Sequence, residues 1–305
     1  MRQPLKQLDI LLNKSTKKLA YQLAEAIYSI ALGNGNQLRE TEIHFAETMR
    51  KASAMADILG RKKAAQEVQG IKQGNKVIFQ KAPQNEDQFS IEFDFDVPFD
   101  DALDNLGETN KLVKELGFIP EVKSAYSPHR YYQRERANLK LAPLFKDSPE
   151  SKINEIILDD LAFGRDKEAT LKKIAQYTQG RADTIYRKKI AEAYTGGRLR
   201  SLQNEEVKDL VKAVIFNATD DRDVRPDHWA LHETVLAPNS SWLKFIAPPI
   251  YYNCRCSFQL VGEDHLKSFK NGAHWRKGQL VESKLTMEKL PKQRFDTRPD
   301  LQIYG

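Results

Sequence analysis

The sequence predicts an α+β fold: a helical N-terminal region, then a mixed α/β C-terminal domain with a short sheet and an irregular His/Cys loop. Three observations carry that expectation. Apolar residues recur at helical spacing through residues 19–68, the pattern of amphipathic helices. Val211, Ala213, Val214, Ile215 and Phe216 form a short apolar run of the length of a buried strand. Beyond it, a proline-broken stretch holds both cysteines and two of the six histidines. With 305 residues, at about 100–200 per domain, two compact units are the default. The pattern divides into an N-terminal helical hairpin (1–75), a middle region with an acidic strand (76–147), a mixed domain (148–262) and a basic C-terminal tail (263–305).

The elements follow in chain order. Leu19, Leu23, Ile27 and Ile30 share one helix face, and Gly33 with Gly35 supplies a stop. A second helix over about 38–68 places Phe45, Met49, Ala52, Met55, Ala56 and Leu59 on one stripe, with Arg50, Lys51, Lys62 and Lys63 mostly off it. The two make a core-forming hairpin. The period then changes to two: Phe89, Ile91, Phe93, Phe95, Val97 and Phe99 alternate with polar residues, predicting a strand over 89–99. Nine acids and no Lys or Arg lie between Glu86 and Glu108, so this strand faces water or a basic partner; no glycine-punctuated calcium loop follows it.

Pro120, Pro128 and Pro143 cut residues 109–147 into short segments. Tyr126, Tyr131 and Tyr132 beside Arg130, Arg134 and Arg136 fit helix packing better than stacking on single-stranded nucleic acid, because no nucleic-acid motif accompanies them. Ser148, Pro149 and Glu150 open a helix carrying Ile153, Ile156, Ile157 and Leu161, with Gly164 as its stop. A further helix around 171–177 is expected to stop at Gly180, and another, with Ile185, Ile190, Ala193 and Tyr194, at Gly196 and Gly197.

Charge narrows the function classes without choosing one. The net +6 divides as +5, −3, +1 and +3 over the four regions, basic at both ends and mildly acidic between. Mixed signs throughout describe solvated helix surfaces better than a DNA-binding arm. No run approaches the roughly 20 apolar residues a bilayer span needs, and no secretory pattern of basic, apolar and small-residue regions stands out. Two cysteines one residue apart make a poor disulfide loop, which points to a reducing compartment.

Chemistry concentrates after the predicted strand. His228 and His232 are four apart, and Cys254 and Cys256 follow 22 and 24 residues beyond His232. A helix over 227–233 would bring both imidazoles to one face. Two imidazoles and two thiolates suit the borderline-soft preference of Zn2+ in a closed structural site. Cys-x-Cys is tighter than the usual spacing, and an extended segment would send the thiols to opposite faces, so a turn is required; Pro248, Pro249 and Asn253 supply it. The alternative leaves the cysteines as small buried hydrophobes and the histidines as packing groups. A zincin helix would need glutamate directly after the first histidine, where Trp229 stands. No serine elbow, phosphate loop or dinucleotide fingerprint occurs, and four protein ligands would close the site to water, so no catalytic residue is assigned. Arg222 and Arg225 are expected to tie the loop down by pairing with Asp220, Asp221 or Asp223.

These residues carry a resemblance. The string from Asp221 to His228, Leu231-His232-Glu233, Pro248-Pro249 and Asn253-Cys254-Arg255-Cys256 together resemble the terminal motif of phage Mu F-like minor head proteins. Ile185-Tyr186-Arg187 with Ala191, Ala193 and Tyr194 resembles the family's upstream helix, and residues 52–61 its N-terminal helices. Glu233 and Tyr251 stand where the family usually has glycine, and Lys188-Lys189 where it commonly has Thr-Glu. The resemblance implies a non-enzymatic minor component of the virion head. It would associate with the portal protein and the procapsid interior, contact capsid or scaffold proteins and DNA, assist DNA packaging or delivery, and assemble in the host cytoplasm without a membrane. It also makes Asp221, Arg222, Arg225, Pro248, Pro249 and Arg255 the structural loop around the metal candidates. The 43 residues after Gly262 are too few for a separate catalytic domain. A zinc-dependent hydrolase or nuclease and a nucleic-acid-binding module are the competing classes.

Overall fold

The computed structural model of the chain describes residues 21, 24–25, 36–73, 97–135, 167–220, 222–252, 254–292 and 294. The first predicted helix beyond residues 21, 24 and 25, the hairpin turn at 33–36, residues 89–96 of the predicted strand and the helix opening at Ser148 lie outside them.

Two long helices make the frame: α1 (Asn36–Lys72) and α6 (Lys167–Ser201). In α1 the predicted stripe is buried at Met49, Ala52, Met55, Ala56 and Leu59. Arg50, Lys51 and Lys62, off that stripe, are buried as well, because α1 is packed on more than one face. The Arg50 guanidinium donates to the Tyr126 carbonyl at 2.8 Å and lies 3.9 Å from the Phe99 ring centroid. The Lys51 ammonium donates to the Val97 carbonyl at 2.6 Å.

Those partners come from a layer of short helices, α2 (Phe99–Thr109), α3 (Lys111–Glu115), α4 (Phe118–Ala125) and α5 (Pro128–Glu135). The predicted strand therefore does not reach Phe99, which opens α2. Pro98 sits at the N-cap, and Asp100 with Asp101 fills the first turn, where carboxylates favour the positive end of a helix. Tyr126 and Tyr131 are fully buried between α1 and these helices, and the Arg134 guanidinium lies over both rings. Their faces are committed to packing rather than to bases.

The stops expected at Gly180, Gly196 and Gly197 do not occur; α6 runs through all three. At Gly197 the reason is tertiary. A Cβ there would stand 2.1 Å from the Asp57 carbonyl oxygen, and one on Gly60 would stand 2.0 Å from that of Tyr194. The two glycines let the α1 and α6 backbones cross in contact. Gly197→Ala is expected to lower stability by about 2 kcal/mol, overpacking outweighing the better helix propensity of alanine. Gly70→Ala, with nothing within 4 Å of the added carbon, should gain about 0.5–1 kcal/mol. Urea midpoints of the two variants measure the contrast.

After the short α7 (Glu205–Lys208) comes a three-stranded antiparallel sheet in the order β2-β1-β3, with β1 (Ala213–Asn217), β2 (Val235–Leu236) and β3 (Ser257–Val261). The register pairs Val214 with Leu236 and runs from Ala213 opposite Val261 to Asn217 opposite Ser257. Strand β1 is buried at every position, because both sheet faces are covered. Val214, Phe216, Phe258 and Leu260 pack against Ala64, Val68 and Leu199 of the long helices and Leu202 just past α6. On the other face Ala213, Ile215, Val235 and Val261 meet Leu266 and Phe269.

Residues 263–292 thus form part of the same core. They comprise a short helix over Glu263–Ser268, a 3-10 turn, and a hairpin pairing Trp275 with Leu280. The Ser283 N–H then bonds the Val235 carbonyl at 2.8 Å, covering the outer edge of β2. At the opposite edge the Glu67 carboxylate accepts the Leu260 N–H at 3.2 Å while pairing with Arg198 at 2.5 Å.

Candidate metal centre

Because Asn217 faces Ser257, the two long connections of the sheet, residues 218–234 and 237–256, meet at one end of it. The first contains a single helical turn, Pro226–Trp229, with Arg225 at its N-cap and His228 buried. The second passes a buried proline pair, Pro248 and Pro249, joined by a cis peptide bond. It then turns, the Cys254 N–H bonding the Tyr251 carbonyl at 3.2 Å. Tyr251 has an ordinary negative φ, so this turn does not need the glycine of the family pattern; Glu233 does occupy the left-handed region, at φ 62°. The Glu233 carboxylate pairs with Lys270 at 2.7 Å.

Three of the four predicted ligands come together. Nδ1 of His228 lies 3.7 Å from Sγ of Cys254 and 3.6 Å from Sγ of Cys256, and the three donor atoms lie within 4.8 Å of one another. Tetrahedral zinc with Zn–S near 2.3 Å and Zn–N near 2.0–2.1 Å separates an N and an S donor by about 3.6 Å. The spacing fits one shared ion, and the donors form a soft N/S set suited to zinc.

His232 is not brought to this cluster. The helix ends at Trp229, so the four-residue spacing no longer places the imidazoles on one face. The His232 Nδ1 instead accepts the Ala218 N–H at 3.2 Å, and its ring stacks on Trp229 at 4.7 Å. The arginines also differ from expectation. Arg225 ties the loop through a carbonyl, donating to Tyr252 O at 2.9 Å with its guanidinium 5.6 Å from the Tyr251 ring centroid. Arg222 and the Arg255 side chain are exposed, and Asp221 lies outside the described residues.

Thr219 escaped the sequence reading. Its hydroxyl donates to the Arg255 carbonyl at 2.7 Å, and its backbone N–H bonds the Cys256 sulfur. Continuing the β1–β3 register two residues past the Asn217–Ser257 pair places Thr219 opposite Arg255, a signal available only once the strands are paired.

The electrostatics favour a thiolate here. A hydrogen bond from Cys256, joined by His228 and the Ile250 N–H, holds the Cys254 thiol well below its ordinary range against the effect of burial. Hydrogen bonding to Cys254 and burial push the Cys256 thiol up. The pair thus retains a proton that an ion must displace. Apparent metal affinity is expected to rise with pH, about tenfold per unit for each proton displaced, measured by chelator competition at several pH values.

The arrangement defines a class: an α+β protein whose short sheet carries two long loops that converge on a His-Cys-Cys cluster. Residues 151–259 match the family described as Phage Mu protein F like protein, so the chain carries a Mu F-like region, with all three donors inside the matched span. Neither the curated proteins nor the solved structures contain a match to the chain. Among the described residues no helix is long and apolar enough to cross a membrane.

Proposed function

We propose that this chain is a minor head protein of a tailed phage, acting in head morphogenesis at the portal vertex and procapsid interior, with a structural zinc ion joining the two loops of its Mu F-like region. The observation that carries this reading is the family match over residues 151–259. Portal protein and capsid or scaffold proteins are the partners, and DNA contact belongs to packaging or delivery. The role is structural rather than enzymatic. In support, the two acids adjacent in sequence to the histidines are both engaged, Glu233 with Lys270 and Asp227 in accepting the His228 backbone N–H.

Affinity-tagged chain expressed with the phage head genes tests it. The expected result is recovery of portal protein from assembling procapsids and presence of the chain in finished heads. Its absence from particles that assemble and package normally would reject the head role. Turnover of phosphodiester or peptide substrates, lost in His228→Ala while the fold remains, would favour the hydrolase.

A further inference from the structure

Cys254 and Cys256 are separated by one residue, and an extended backbone would direct their side chains to opposite sides. Both sulfurs nevertheless reach the same His228 nitrogen. The peptide unit that decides this is the one following Arg255. Its carbonyl accepts the Thr219 hydroxyl, while the Thr219 N–H bonds the Cys256 sulfur. On the other side of the cysteines the Tyr252 carbonyl is held by Arg225, which caps the helical turn that presents His228. Each ligand-bearing loop is therefore fastened to the other twice, once on each side of Cys254, by residues that do not themselves offer a donor to the ion.

We propose that Thr219 and Arg225 are positioning residues of the metal centre: two clasps that bring both sulfurs onto the His228 imidazole before an ion arrives, and so set its affinity. This rests on the reading of the cluster as a zinc site. Outer-shell contacts that orient ligands typically change metal affinity by about 10- to 100-fold when removed. Both clasps lie at exposed positions, so water can satisfy the freed carbonyls and the fold loses little. A purely structural role would move stability and leave affinity alone. A positioning role does the reverse.

The full chain, stripped with a chelator, is titrated with Co2+ while thiolate-to-cobalt charge transfer is followed; Zn2+ affinity comes from competition with a chromophoric chelator. Thr219→Val and Arg225→Gln are compared with wild type and with Arg276→Gln, an exposed change on the distant hairpin. The expected result is zinc affinity about 10- to 100-fold weaker in each clasp variant, with the metal-free melting temperature unchanged and Arg276→Gln indistinguishable from wild type. Clasp variants that bind as tightly as wild type would overturn the positioning role while leaving the metal centre standing. A wild-type chain that develops no charge-transfer band would overturn both. Should one clasp variant lose its metal-free fold, the other decides the question by the same two readouts.

Discussion

Replacing Cys256 by serine, or stripping the ion with a chelator, is expected to lower the stability of the Mu F-like region by the same amount, about 4 kcal/mol when free zinc stands a thousandfold above its dissociation constant. The figure follows from linkage: an ion that binds only the folded loops stabilises them in proportion to the logarithm of its saturation. His228→Ala should cost at least as much, since it removes a buried side chain, 2% exposed, along with the donor. The loss should concentrate in residues 218–234 and 237–256, because the proposed ion would join those two loops. The sheet beneath keeps Val214, Phe216, Phe258 and Leu260 packed against the long helices. Thermal melts with and without zinc check the prediction. Wild type and Cys256→Ser that melt together at every zinc concentration would remove the ion from the account.

How much of this was legible in the sequence depended on whether the deciding contact was local. The α1 stripe was readable because periodicity along one helix is a local property. The burial of Arg50, Lys51 and Lys62 was not, since groups that cover that helix come from Val97, Phe99, Tyr126 and α6, far away in the chain, although the counter-charge of Arg50, Glu47, is local. Gly197 obeys the same division: local rules make it a stop, and only the crossing with Asp57 explains a glycine inside a continuous helix.

At the site, residue chemistry alone singled out His228, Cys254 and Cys256, the three that the fold brings together, because few side chains offer soft donors. It could not exclude His232. That choice was made where the helix ends, and the turn following it finishes at Glu233, whose carboxylate pairs with Lys270 from beyond the sheet. The carbonyl contact of Arg225 was hidden for a related reason. Acids one or two residues away are visible in sequence, whereas the Tyr252 carbonyl becomes a neighbour of Arg225 only after β1 and β3 pair.

Asp57→Ala is expected to be the most damaging change outside the metal centre, at about 3–5 kcal/mol, the range for breaking a buried ion pair by removing one partner. Asp57 is fully buried. One carboxylate oxygen accepts from Arg61 Nε at 2.8 Å, one helical turn on, and the other is held by Arg200 of α6. Arg61 keeps a second partner in Glu121 of α4, but that acid is largely exposed and weakly placed to neutralise a buried guanidinium. Removing the Asp57 carboxylate leaves Arg61 and Arg200 short of charge at the contact where Gly197 packs against the Asp57 backbone. The isosteric Asp57→Asn should fall between, keeping shape and one acceptor but losing charge. If the aspartate's contribution is electrostatic, Asp57→Ala combined with Arg200→Ala should cost less than the sum of the two single changes, the non-additivity expected of groups in direct contact. Additive losses in urea unfolding would assign the effect to packing instead, and an Asp57→Ala loss under about 1 kcal/mol would fall outside the range for a buried pair.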